Sequence, residues 1–109
     1  PPMQTNTLLQ SADLELDTAS REVRRAGQII ELSPREFSLL ELLLRHPNQV
    51  LTRTQIIEHV WNFNFYSDTK VVDVYIGYLR RKIDDGFGST LIHTIRGVGY
   101  RLSAEKNNA

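Results

Sequence analysis

The sequence contains no cysteine among its 109 residues. That excludes disulfides, thiolate metal ligands and cysteine nucleophiles, and it suits a reducing compartment without requiring one. Long apolar runs are also missing: none approaches the roughly 18 residues needed to cross a bilayer as a helix. The opening stretch, Pro1 to Gln10, lacks the basic and apolar regions of a secretory signal, and residues 1–7 read as a linker remnant. No metal-ligand spacing is present. His46, His59 and His93 are scattered, and Glu58 precedes His59 with no second histidine to complete a zinc-protease pattern. No serine sits in a nucleophile elbow and no glycine run cradles a phosphate. The expectation is a non-enzyme without cofactor or metal. Net charge of either sign is lacking too, with 13 basic and 13 acidic side chains, which at first argues against a polyanionic partner.

The distribution of charge argues the other way. Residues 1–69 carry six Lys/Arg and nine Asp/Glu, a net of −3, whereas residues 70–101 carry six and three, a net of +3. A field oriented in this way steers docking even where the total is zero. The length suits one domain, and 40% apolar with 24% charged residues suits a soluble globular one.

Leu14-Glu15-Leu16-Asp17 alternates apolar and polar as a half-buried strand does. Arg21 to Arg25 and Gln28 to Leu32 read as two further strands joined by a tight turn at Ala26-Gly27, and Leu8 to Gln10 is a candidate fourth. Ser33-Pro34-Arg35-Glu36 then announces a helix. Ser33 caps it, Pro34 suits the first helical position and Glu36 completes a capping box. Phe37, Leu40, Leu43 and Leu44 follow at helical spacing, and Pro47 ends the segment. A second capping box, Thr52-Arg53-Thr54-Gln55, opens a shorter helix through Ile56, Ile57, Val60 and Trp61. Asn62 to Thr69 reads as a polar and aromatic loop. A third helix spans 70–84, with Asp68 and Thr69 both candidate caps, and Gly86 and Gly88 stop it. Leu91 to Arg96 and Tyr100 to Leu102 form a hairpin around Gly97-Val98-Gly99.

At 100° per residue, Val72, Ile76, Leu79 and Ile83 share one stripe of the third helix and belong to the core. Lys70, Val74, Gly77 and Arg81 lie opposite, flanked by Asp73 and Arg80 on one side and Tyr78 on the other. A solvated helix face would carry Glu–Lys pairs four apart. This one has a basic residue near each end, a small apolar residue between, and a mid-helix glycine, which costs up to about 1 kcal/mol against alanine. Close approach by a large partner would justify that cost. In a DNA groove Val74 would meet a thymine methyl, Arg81 a guanine edge and Asp73 a cytosine amine. On the hairpin, Thr94 and Arg96 share one face while Ile95 takes the other. Arg96, just before the Gly-X-Gly turn, suits a narrow, electronegative minor groove. A solvated face and an ordinary turn arginine are the competing readings of these two features. A winged helix that docks on an acidic protein is the alternative to one that binds DNA.

Lys70-Val71-Val72-Asp73-Val74-Tyr75-Ile76-Gly77-Tyr78-Leu79-Arg80-Arg81-Lys82-Ile83, followed by Thr94-Ile95-Arg96-Gly97-Val98-Gly99-Tyr100-Arg101-Leu102, closely resembles the effector domain of OmpR/PhoB-type bacterial response regulators. The likeness extends upstream through Leu32-Ser33-Pro34-Arg35-Glu36-Phe37 and Leu51-Thr52-Arg53, and covers residues 8–103, leaving 104–109 as a tail. It implies an α+β fold: a winged helix-turn-helix with an N-terminal four-stranded antiparallel sheet, three helices and a C-terminal hairpin wing. It also implies sequence-specific binding of double-stranded DNA, with helix 70–84 in the major groove and wing 91–102 at the minor groove. By position, base or groove contacts carry over to Lys70, Asp73, Val74, Gly77, Tyr78 and Arg96, and Arg81 joins them on helical-wheel grounds. Phosphate contacts carry over to Arg53, Trp61, Tyr75, Arg80 and Thr94. Gly77 and Tyr78 depart from more basic members, which often place arginines there, and this implies a different half-site. The resemblance further implies an RNA polymerase contact through Phe63, Phe65 and Tyr66, and a second copy placed head-to-tail on direct-repeat half-sites. It implies control by a sensor kinase through a receiver domain absent from this chain, and a cytoplasmic setting away from the membrane.

Overall fold

The computed structural model of the chain describes residues 7–62 and 69–104. Alternating apolar residues build an antiparallel N-terminal sheet in the order β1 (Leu8–Ser11), β2 (Leu14–Asp17), β3 (Val23–Arg25) and β4 (Gln28–Ile30). Leu14, Leu16 and Val23 face the core, while Glu15 and Arg24 pair across the opposite face. Between β3 and β4, Ala26 and Gly27 both have positive φ (54° and 80°), the primed turn whose twist matches a two-residue hairpin. Two strands are shorter than their sequences suggest. Arg21 has φ 65° and donates its amide to the Asp17 carbonyl, while Asp17 Oδ1 accepts from the amides of Ala19 and Ser20. That local turn consumes the start of the expected third strand. The fourth strand stops at Ile30, before the cap of the next helix.

Helix α1 (Pro34–Arg45) begins as expected: Ser33 Oγ accepts from the Glu36 amide at 3.2 Å and Glu36 Oε1 accepts from the Ser33 amide at 2.9 Å. It buries Phe37, Leu39, Leu40, Leu43 and Leu44. The second capping box is also formed, between Thr52 and Gln55, and starts α2 (Arg53–Ile56), which continues as a π-helical turn, Ile57–Trp61. Helix α3 (Lys70–Leu79) likewise widens into a π-helical turn, Arg80–Asp84, whose end is marked by the Asp85 amide donating to the Arg80 carbonyl at 2.9 Å. The wider turn lets side chains beyond Leu79 lag the 100° progression, and both Ile83 and Asp84 are buried. Thr69 precedes α3 with no side-chain cap bond, so of the two expected caps it is not one, and Asp68 lies outside the described residues.

The wing is β6 (Ile92–Ile95) and β7 (Gly99–Leu102). Sequence periodicity does not announce a third member of this sheet. The two-residue β5 (Leu51–Thr52) pairs with β7, giving the order β5-β7-β6. Gly99 is what permits this: a Cβ there would sit 1.9 Å from the Leu51 carbonyl oxygen. One continuous core joins the elements, running from Leu14 and Leu16 through α1 to Val72, Ile76, Leu79, Ile83, Ile92 and Leu102.

Among the described residues three charged side chains are also buried, Arg25, Glu36 and Asp84. Arg25 is fully buried and donates to Asp13 Oδ1 (2.6 Å), Asp84 Oδ1 (3.2 Å), Ser89 Oγ (2.7 Å) and the Ile83 carbonyl. Asp84 in turn accepts from the amides of Leu91 and Ile92 at 3.1 and 3.2 Å. The N-terminal sheet, the end of α3 and the start of the wing are thus tied at one point. A buried charge requires such complete pairing.

Candidate nucleic-acid interface

The Val72, Ile76, Leu79 and Ile83 stripe is buried as its spacing demands, which turns the opposite face of α3 outward. Lys70 and Arg81 are exposed on that face, Val74 is 47% exposed and Tyr78 39%. Gly77 lies between them, and a Cβ built on it would meet nothing within 4 Å. No internal contact therefore explains the glycine. On the wing, Thr94, Arg96 and Val98 are exposed and Ile95 is turned partly inward, as strand alternation requires.

Two networks hold these surfaces. The first is centred on Tyr100. Asp73 Oδ1 accepts from Arg53 Nε at 2.8 Å and from the Tyr100 hydroxyl at 2.5 Å. Partial burial opposes ionisation of Asp73, but the bonds from Tyr100 and Arg53 outweigh it and hold the carboxyl below the usual carboxylate range. The same pairing raises the affinity of Arg53 for its proton, and burial together with the Asp73 bond pushes the Tyr100 phenol up. Arg80 spans from α3 to the wing, donating to the Ile92 carbonyl through Nε (3.2 Å) and Nη2 (3.0 Å), and to Thr94 Oγ1 at 2.7 Å. The guanidiniums of Arg53 and Arg80 lie 5.3 and 5.7 Å from the Tyr100 ring centroid. The start of α2, the middle of α3 and both wing strands are therefore locked to one another.

The second network is an aromatic row. Trp61 meets Tyr75 edge-on at 5.3 Å, and Tyr75 meets Tyr78 at 5.1 Å. Cations close both ends: Arg35 lies 5.2 Å from the Trp61 ring and donates to the Val60 carbonyl at 2.6 Å, while Arg81 lies 5.5 Å from the Tyr78 ring. The buried Glu36 accepts from Lys82 Nζ at 2.7 Å, so the capping-box carboxylate also ties α1 to the π-helical turn that ends α3. Burial pushes the Glu36 carboxyl up, but the Lys82 and Ser33 bonds outweigh that and leave it below its ordinary range.

The expected site residues thus sort by position. Lys70, Val74, Gly77, Tyr78 and Arg81 form one outward strip along α3 and its π-helical extension, and Arg96 stands exposed on the wing two residues after Thr94, which Arg80 bonds. Arg53, Asp73, Arg80 and Thr94 converge on Tyr100, while Trp61 and Tyr75 join the aromatic row. Asp73 is therefore engaged by Arg53 and Tyr100 rather than standing alone on the outer face. Phe63, Phe65 and Tyr66 lie outside the described residues. Tyr100, Arg35 and Arg25 were not legible as organising residues, because their partners lie 12 to 64 positions away in the chain.

Comparison with known proteins agrees with this architecture. A family described as transcriptional regulatory protein, C terminal, matches residues 27–102. The uncharacterized transcriptional regulatory protein YkoG of Bacillus subtilis is 54% identical over 96 residues, covering 88% of this chain and 42% of that protein. The chain spans less than half the length of such curated relatives. The response regulator DrrB of Thermotoga maritima, an OmpR/PhoB homologue, superposes with a TM-score of 0.78 at 31% identity, over 89% of this chain and 44% of its own. The Klebsiella pneumoniae RstA DNA-binding domain, solved in complex with the RstA box, gives 0.80 at 26% identity, over 90% and 98% of the two chains. The chain therefore belongs to the family of transcriptional regulatory protein C-terminal domains, as a winged-helix domain of the OmpR/PhoB type of response regulator.

Proposed function

We propose that the domain binds double-stranded DNA sequence-specifically and is the output half of a two-component response regulator that controls transcription. The observation that carries this reading is the exposed strip from Lys70 to Arg81, tied by the Arg80–Thr94 bridge to the wing that carries the exposed Arg96. A helix of this size fits the major groove, and a protruding arginine suits the minor groove next to it. RstA, with a matching fold, was solved on its DNA box.

Arg53, Arg80, Thr94, Trp61 and Tyr75 take the phosphate side of this arrangement. They position the module without reading sequence. Their mutual bonds restrict the side chains before DNA arrives, which lowers the entropy cost of binding. Lys70, Asp73, Val74, Gly77, Tyr78, Arg81 and Arg96 take the groove side. Two copies bind head-to-tail on direct-repeat half-sites, with avidity supplied through a receiver domain that a sensor kinase controls. Phe63, Phe65 and Tyr66 are the residues offered to RNA polymerase.

Selection of bound duplexes from a random-sequence pool tests the reading. A recurrent half-site, repeated at a fixed spacing, is expected. Recovery of unenriched sequence at moderate salt would show a surface that is not a sequence reader.

A further inference from the structure

The outward strip of α3 is not uniformly polar. Its two cations sit at the ends, and its middle is Val74, Gly77 and Tyr78. Apart from its chain neighbours and the helix's own backbone, a Cβ placed on Gly77 would meet nothing within 4 Å, so there is open space above the glycine for a methyl-sized group. Val74 bounds this gap one turn before and Arg81 one turn after, with Tyr78 alongside. Arg81 is drawn toward the Tyr78 ring, 5.5 Å from its centroid, and Tyr78 is itself set edge-on against Tyr75 at 5.1 Å. The walls are therefore held by contacts within the protein. Neither the valine side chain nor the glycine offers a side-chain donor or acceptor, so the Val74–Gly77 part of the notch cannot read a base through hydrogen bonds. The one apolar group that a base pair projects into the major groove is the thymine C5-methyl.

We infer that the notch over Gly77, walled by Val74 and Tyr78, seats the methyl group of one thymine and makes Gly77 a specificity-determining residue. This rests on the DNA-binding reading and assigns a base to part of that surface. It also gives the mid-helix glycine a reason, since any side chain would fill the space the methyl enters.

The test uses the half-site recovered from the random pool and a set of duplexes in which each thymine is singly replaced by deoxyuridine, which removes only the methyl. With the unaltered protein, one position is expected to lose about fourfold in affinity, the worth of one buried methyl-sized group. Gly77→Ala is expected to lower affinity for the thymine duplex and to abolish its preference over the deoxyuridine duplex at that position. The same variant should unfold at a temperature equal to or above that of the unaltered domain, which separates the effect from damage to the fold. Val74→Ala, which widens the notch, should shrink the preference at the same position. Selective binding with no deoxyuridine-sensitive position, or a sensitivity that survives in Gly77→Ala, overturns this inference and leaves the DNA-binding reading intact. Absence of any selective binding overturns both.

Discussion

At the scale of single residues, the side chains that hold the site are separable from those that face outward. Arg25 is a holding residue: every bond it makes is to another part of the chain, and its burial leaves no water to replace a lost partner. Arg25→Ala is expected to destabilise the domain by about 3–5 kcal/mol, read from urea denaturation, because Asp84 would stay buried without its cation. Arg81 is an outward residue. Arg81→Ala should leave stability nearly unchanged and cost about 1–3 kcal/mol at a matched site while relaxing selectivity at one base pair. Arg53 belongs to both groups, so Arg53→Ala should weaken binding to all sequences alike and lower stability through Asp73. The carboxylates add a pH dependence. Glu36 and Asp73 both bind protons less readily in the fold than in the open chain. A depressed carboxyl stabilises the fold above its unfolded value and loses that contribution as pH falls through the folded one. Urea midpoints should therefore be flat from neutrality to about pH 5 and fall below about pH 4.5. A Glu36→Gln variant should show a shallower fall.

At the scale of elements, two glycines make opposite demands. Gly99 lets β5 approach β7, and Gly99→Ala drives a Cβ onto the Leu51 carbonyl oxygen. That substitution should cost about 1–3 kcal/mol or more and loosen the wing, visible as faster amide exchange at Thr52 and Tyr100. Gly77 has open space instead, so its replacement by alanine should stabilise the free helix by up to about 1 kcal/mol. The same contrast shows what was legible in the sequence. Both capping boxes, the tight turn at Ala26-Gly27 and the buried stripe of α3 depend on residues a few positions apart, and all are found as expected. Strand β5 was not foreseen, since two residues carry no periodicity and Leu51 and Thr52 become a strand only by pairing with Tyr100 and Gly99. The strand expected from Arg21 starts only at Val23, because Asp17 captures the amides beside Arg21 in a turn. Of the site, the outward strip was legible from the helical wheel. The bonding of Asp73 to Arg53 and Tyr100 was not, because it depends on how α2, α3 and β7 meet in space.

At the scale of the whole molecule, charge is unevenly divided along the chain. The positive stretch 70–101 contains α3 and the wing, and the negative stretch contains the four-stranded sheet. With zero total charge, long-range attraction to DNA depends on orientation, and binding should draw on a limited set of phosphates. About four to six contacts per domain correspond to a slope of about −4 to −5 for log affinity against log salt concentration. A slope near zero would remove the phosphate contacts from the account. One domain on one half-site should bind modestly, and sedimentation of the free domain at micromolar concentration should show a monomer.

The central claim is geometric, that α3 enters the duplex by its Lys70–Arg81 face with the wing alongside. An NMR titration of the isotopically labelled domain with its selected half-site duplex measures this most directly. The largest amide perturbations are expected at Lys70, Val74, Gly77, Tyr78 and Arg81 and across Thr94–Val98, with β1–β4 nearly silent. Perturbations concentrated on the four-stranded sheet, with α3 unmoved, would contradict it.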